Sequence, residues 1–181
     1  MRGVVFAEFL RFAEKSVSAG FVSDMIEDLK PGSGGVYDPT DEYDHAEILD
    51  MLAYIARKTG DDPTALTHAF GHFLFGSFVQ QHPELLRDKT QALDFLEGIE
   101  GHIHANMNEL IPPANPPSIN TERRDKDELV MHYKSDRPFA ELCRALIEAS
   151  LDHFGVTGEI ENRMTPGDGK EAIFVVRTDE G

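Results

Sequence analysis

A proline-dense run, Pro112-Pro113-Ala114-Asn115-Pro116-Pro117, separates two kinds of apolar spacing in this chain. Proline lacks the amide hydrogen that a helix interior or an inner strand requires, so neither element crosses such a run. Upstream, apolar residues recur at helical spacing, and downstream they fall at every second position. The spacing predicts helices over Val5 to Val17 and Phe21 to Lys30, then a loop from Pro31 to Asp44 rich in glycine and proline. Asp44 is expected to cap a helix from His45 to about Lys58, stopped by Thr59-Gly60. Asp62-Pro63 opens the next helix, to about Gln81. Pro83 then starts a short one, and about Lys89 to Ile111 forms a long one. Beyond the prolines, Ser118 to Arg123 and Leu129 to Ser135 make a hairpin around Arg124 to Asp127. Phe139 to Phe154 returns to helix, and Glu159 to Arg163 pairs with Ala172 to Arg177 in a second hairpin. The order is α+β: helices first, then a small antiparallel sheet with one helix inserted.

A length of 181 residues suits one well-buried domain, residues 1–181. Apolar stretches such as Ala69 to Val79 are too short or too interrupted to span a bilayer. Charged residues soon after Met1 exclude a long secretory segment. The one cysteine, Cys143, can form no internal disulfide, which fits a reducing cytoplasm. A formal net charge of −16 argues against nucleic acid and against an anionic membrane, and favours a neutral or basic partner surface. Nothing in the pattern calls for an obligate dimer, so a monomer is expected.

Leu129, Met131, Tyr133, Ser135 and Arg137 fall at alternate positions, so one strand face offers a phenol, a hydroxyl and a guanidinium in a row. Together they can grip anionic oxygens. Upstream, Leu93, Leu96, Ile99, Ile103, Met107, Leu110 and Ile111 share one broad helical arc, and His104 lies at its edge while His102 faces the opposite side. Periodicity alone fits a core histidine bonded to a carbonyl better than a ligand. An axial imidazole at His104 and a clasp for two propionates at the triplet nevertheless suggest the two ends of one haem. Phe70, Phe73, Leu74, Phe75 and Phe78 would be ordinary core by themselves, and Asp38, Asp41, Glu42 and Asp44 read as a solvated loop. His45-Ala46-Glu47 lacks the paired cysteines of a zinc deaminase, and no set of catalytic groups is evident.

These segments, taken in order, resemble the H-NOX (haem nitric oxide/oxygen binding) family, which includes the haem domain of soluble guanylate cyclase. Met1 to Leu10 is similar to the family's opening helix, and Gly34-Gly35-Val36-Tyr37 with Tyr43-Asp44-His45-Ala46-Glu47 to its characteristic loop. Ala69 to Phe75 resembles the distal helix, Ile99 to His104 through Pro112 the proximal helix, and Tyr133-Lys134-Ser135-Asp136-Arg137 the Tyr-x-Ser-x-Arg signature. The resemblance implies an N-terminal helical subdomain (about 1–64) packed on a four-stranded antiparallel sheet, with haem b between them. It implies His104 as the axial ligand of iron, Tyr133, Ser135 and Arg137 as the propionate clasp, and Pro117 as the proline that presses on the porphyrin. Val5, Phe9, Leu74, Phe78, Leu142 and Leu146 would wall the distal side, and Met107 would also contact the cofactor.

Members that hold oxygen carry a tyrosine where Leu142 stands, with Trp and Asn partners at the positions of Phe9 and Leu74. An apolar wall thus implies a sensor that binds nitric oxide, and also CO, but not oxygen. By the same resemblance nitric oxide weakens the bond to His104, the porphyrin relaxes away from Pro117, and the helical subdomain shifts against the sheet. The output would be a separate histidine kinase (two-component signalling) or diguanylate cyclase (cyclic-di-GMP), with no catalysis by this chain. With Cys143 alone, no zinc site of the cysteine-rich kind is expected. The competing readings are a haem enzyme that oxidises or detoxifies nitric oxide, and a haem-free module for a hydrophobic ligand.

Overall fold

The computed structural model describes residues 1–86, 89–104, 115–164 and 168–179. Helix α1 (Gly3–Ser16) buries Phe6, Phe9, Phe12 and Ala13 along one stripe. Helix α2 (Ala19–Leu29) starts at Ser18, whose hydroxyl accepts from the Phe21 N–H at 3.1 Å. Helix α3 (Ala46–Thr59) ends at Gly60, which takes the left-handed conformation with φ 83°. The Asp44 carboxylate accepts from the Ala46 N–H at 3.0 Å, one position ahead of the His45 N-cap. Helix α4 (Pro63–Gln81) is opened as expected, by Asp62 accepting from the Ala65 N–H at 2.9 Å and by Pro63 in the first turn. A 3-10 turn, Pro83–Leu86, follows.

The acidic loop is exposed at Asp38, Asp41, Glu42 and Asp44, but its backbone has a task. Carbonyls of Asp41 and Pro39 accept from the N–H groups of Gly3 (2.9 Å) and Val4 (3.3 Å), two of the donors that the start of a helix leaves without a partner. The Thr40 carbonyl accepts from the Arg2 guanidinium. Tyr37 stacks on Phe6 at 4.5 Å and donates to Glu47 at 2.7 Å, so the loop is pinned to both α1 and α3.

The long helix expected over Lys89 to Ile111 is not continuous. Helix α5 (Ala92–Glu97) stops at Gly98, whose N–H is divided between the carbonyls of Asp94 (3.3 Å) and Phe95 (3.1 Å). Ile99–His104 then widens into a π-helical segment. Gly98 and Gly101 supply the low helix propensity that permits the break, and such segments collect at functional sites. The remainder of that expected helix, 105–111, lies outside the described residues.

Strands β1 (Ser118–Asp125), β2 (Glu128–Lys134), β3 (Gly158–Met164) and β4 (Glu171–Thr178) form one antiparallel sheet in the order β1-β2-β4-β3. Helix α6 (Ala140–Phe154) is inserted between β2 and β3. The first hairpin turns on Lys126-Asp127 alone, tighter than the four residues expected, with an irregular register between Arg123 and Asp125. On β2 Leu129, Met131 and Tyr133 are buried while His132 and Lys134 are exposed. The strand ends at Lys134, so Ser135 and Arg137 stand beyond it, where Ser135 still donates to the Lys170 carbonyl at 2.9 Å.

Two apolar clusters make the core. One joins α1 to α4 through Phe6, Phe9, Met25, Ile48, Met51, Ile55 and Phe70. The other joins α5 and α6 to the sheet through Leu93, Leu96, Leu129, Met131, Ile147 and Phe174. Helices α4 and α6 belong to both, since Leu74 and Leu142 pack in the first cluster and Phe75 and Cys143 in the second. These two helices cross so closely that a methyl group on Gly71 would collide with the Cβ of Ala145. No described helix is long and apolar enough to cross a membrane.

Two glycines of α4 should therefore respond to alanine with opposite sign. At Gly71 the added methyl overpacks the crossing, and urea unfolding should show a loss of about 1–3 kcal/mol. At Gly76 a Cβ meets nothing within 4 Å, and the substitution should add about 0.5–1 kcal/mol.

Candidate functional site

Where the two clusters meet, the packing leaves a cavity of about 250 Å³. Its helical wall carries Val5 from α1 and Leu74 and Phe78 from α4. Leu142 and Leu146 come from α6, and Phe95, Leu96 and Ile99 from the broken helix. Pro116, Pro117 and Ile119 approach from the lead into β1, with Met131 and Tyr133 on β2. Tyr133, Ser135 and Arg137 gather in this one cavity although only the first stands on the strand, because the chain bends at Asp136-Arg137-Pro138.

Of the residues proposed from sequence, Val5, Leu74, Phe78, Pro117, Tyr133, Ser135, Arg137, Leu142 and Leu146 line the cavity. Phe9 does not; it is fully buried in the helical cluster, edge-on to Phe70 at 5.0 Å. The backbone of His104 ends the π-helical segment, while its side chain and the whole of Met107 lie outside the described residues. Sequence reasoning missed Arg2, Asn115, Phe139 and Cys143, which also line the space. No spacing signals them, since Arg2 and Asn115 arrive from a helix start and from a segment between elements. Met131, in contrast, was visible in the alternation that exposed Tyr133.

The lining is apolar across the helical wall and polar mainly at one end. There Arg137 donates to the Asn115 carbonyl at 2.8 Å, and its own N–H reaches the Ser135 hydroxyl at 3.1 Å. No described carboxylate pairs with this guanidinium. In a chain of net charge −16 such a cation is noteworthy, because acidic partners are plentiful. The Tyr133 phenol is pushed up to about 12, mainly by burial and only partly offset by Ser135 and Arg137. It therefore keeps its proton and acts as a donor. A guanidinium with no carboxylate partner among the described residues, a protonated phenol and a hydroxyl at one end of an apolar slot suit a flat apolar group that bears carboxylates.

Burial also raises the Cys143 thiol, from 9.0 to about 12. Both groups are neutral when protonated, and both keep their protons to higher pH in the folded chain than in the unfolded one. Their contribution to stability is intact below about pH 9 and is lost as pH rises toward 12. Thermal unfolding followed from pH 8 to pH 12 should show this decline, and Cys143→Ala should remove the part that begins lowest.

The family model described as haem-NO-binding matches residues 2–162. The structure superimposes on the unliganded Fe(II) H-NOX protein of K. algicida with a TM-score of 0.91. The two are 27% identical, over 100% of this chain and 98% of that one. It also matches the H-NOX protein of Shewanella woodyi, solved with IWP-051 bound in the Fe(II)CO state. That match has a TM-score of 0.84 and 25% identity, over 99% of this chain and 95% of the other. An H-NOX protein of S. oneidensis in the Fe(II)NO state shares the fold, with a TM-score of 0.89 at 19% identity over 99% and 100% of the two chains. No curated protein sequence matches the chain. The residues present suit a haem, since the slot offers apolar walls for a macrocycle and a cationic end for its carboxylates. The chain belongs to the haem-NO-binding, or H-NOX, family of haem-binding gas-sensor domains.

Proposed function

We propose that this protein is a nitric oxide sensor that discriminates against oxygen and passes its state to a separate signalling protein. The observation that carries the reading is the helical wall of the cavity: Val5, Leu74, Phe78, Leu142 and Leu146 offer no hydrogen-bond donor. Ferrous haem b would supply the iron that takes up the gas. In this reading His104 provides the axial imidazole, and Tyr133, Ser135 and Arg137 hold the propionates at the polar end. Pro117 packs against the ring, Phe9 backs the wall from the helical core, and Met107 contacts the cofactor. The whole chain, 1–181, acts as one haem domain, with a helical subdomain to about residue 64.

Selectivity follows from charge. Bound oxygen draws electron density from iron and is stabilised by a donor, whereas nitric oxide and CO bind ferrous iron without one. A wall of methyl groups and rings therefore excludes oxygen by withholding a hydrogen bond. The signal would reach a histidine kinase or a diguanylate cyclase in the cytoplasm, and this chain would do no chemistry of its own.

The test is optical. Ferrous protein should change its Soret band on adding nitric oxide and form no lasting complex in air. A persistent oxygen spectrum of the unaltered protein would defeat the reading. Leu142→Tyr should tighten oxygen binding about tenfold to a hundredfold, the worth of one hydrogen bond to a partly charged acceptor. His104→Gly should lose haem, and added imidazole should restore it.

A further inference from the structure

Among the described side chains, those of helix α5 and the π-helical segment after it pack in the cluster that contains the sheet, where Phe95 also meets Phe75 of α4 at 5.9 Å. Ala92, Leu93, Phe95 and Leu96 are buried in that cluster, and Ile99 packs against it. Two polar ties reinforce this. Asp94 Oδ1 on α5 meets a terminal nitrogen of Arg123 on β1 at 2.5 Å. Glu100 Oε2 on the π segment accepts from the backbone N–H of Ile119, also on β1, at 3.0 Å.

The order of these contacts has a geometric meaning. The earlier residue of the helical segment meets the later residue of the strand, so the segment runs antiparallel to β1 and is fastened at two points along it. The ties have unlike strengths. The other terminal nitrogen of Arg123 is buried with no hydrogen-bond partner among the described residues, so removing Asp94 leaves a half-buried guanidinium without its carboxylate. Ile119 lies on β1, an outer strand of the sheet whose one strand neighbour is β2, so its N–H on the open side has Glu100 as its acceptor. Pro117 stands two residues before Ile119, and His104 four residues after Glu100.

We infer that Asp94 and Glu100 are positioning residues: they fasten the segment ending at His104 to edge strand β1, fixing the offset between that segment and Pro117. This rests on the sensor reading above and adds to it the body that moves. The segment bearing the axial ligand is tied by these two polar contacts to the sheet, and a displacement of it is delivered directly to β1.

The test compares wild type with Asp94→Ala/Glu100→Ala and with Glu100→Gln, which keeps an acceptor oxygen. In haem-free protein, amide exchange at Ile119 should run about fivefold faster in the double variant, the loss of one modest hydrogen bond. In ferrous holoprotein, the iron–histidine stretching band should shift in the double variant and return toward its wild-type position in Glu100→Gln. Glu97→Gln, an exposed change on the same helix, should move neither signal. A double variant with a wild-type band overturns the inference, even if Ile119 exchanges faster. A shift equal in Glu97→Gln overturns it too, since the effect would be one of charge alone. Wild-type protein that takes up no haem overturns the sensor reading, and the inference with it.

Discussion

The crossing of α4 and α6 at Gly71 and Ala145 is the contact on which the remainder depends. Neither apolar cluster closes without these helices, because each helix gives consecutive residues to both clusters. Close approach at one point makes the two helices diverge on either side of it, and the cavity is lined by Leu74 and Phe78 on one helix and by Leu142 and Leu146 on the other. The absence of a Cβ at residue 71 is thus tied to the shape of a binding site that this residue does not line. Such closeness cannot be bridged by flexible side chains, since only backbone and methyl groups meet there.

Around that crossing the protein uses polar groups sparingly and at seams. Glu8, almost wholly buried on α1, accepts from Ser77 (2.6 Å) and Gln81 (3.0 Å) on α4 and from Arg11 (2.9 Å), so a carboxylate locks the outer side of the helical cluster. His68 on α4 lies between Glu148 (2.8 Å) and Glu141 (3.3 Å) on α6, on the surface of the same crossing. The loop at residues 37–43 completes the start of α1 with backbone carbonyls. These seams lie away from Val5, Leu74, Phe78, Leu142 and Leu146, whose side chains bring no hydrogen-bond donor to the cavity.

Element type was readable wherever a local rule operates. Asp62-Pro63 and Gly60 marked helix ends because capping and the missing proline donor act over a few residues. The break at Gly98 was not readable, since Leu93, Leu96 and Ile99 keep one helical stripe across it. A stripe records which residues face the core, and an α turn and a π turn satisfy it almost equally. The position of Arg137 was misread for a related reason. Alternation placed it on the strand, whereas a bend after Lys134 brings it to the same cavity by another path.

What the sequence determined by itself is the order of helices and strands and the residue types that can grip a carboxylate-bearing ring, because spacing and side-chain chemistry are local properties. Tertiary structure alone decided that Phe9 stays in the helical core, that Arg2 and Cys143 reach the cavity, and that Arg137 faces it without a carboxylate partner among the described residues. Those outcomes depend on how α1, α4 and α6 lie against one another. That arrangement is set by contacts such as Gly71 with Ala145, whose two residues stand far apart in the chain and carry no mutual signal in its pattern.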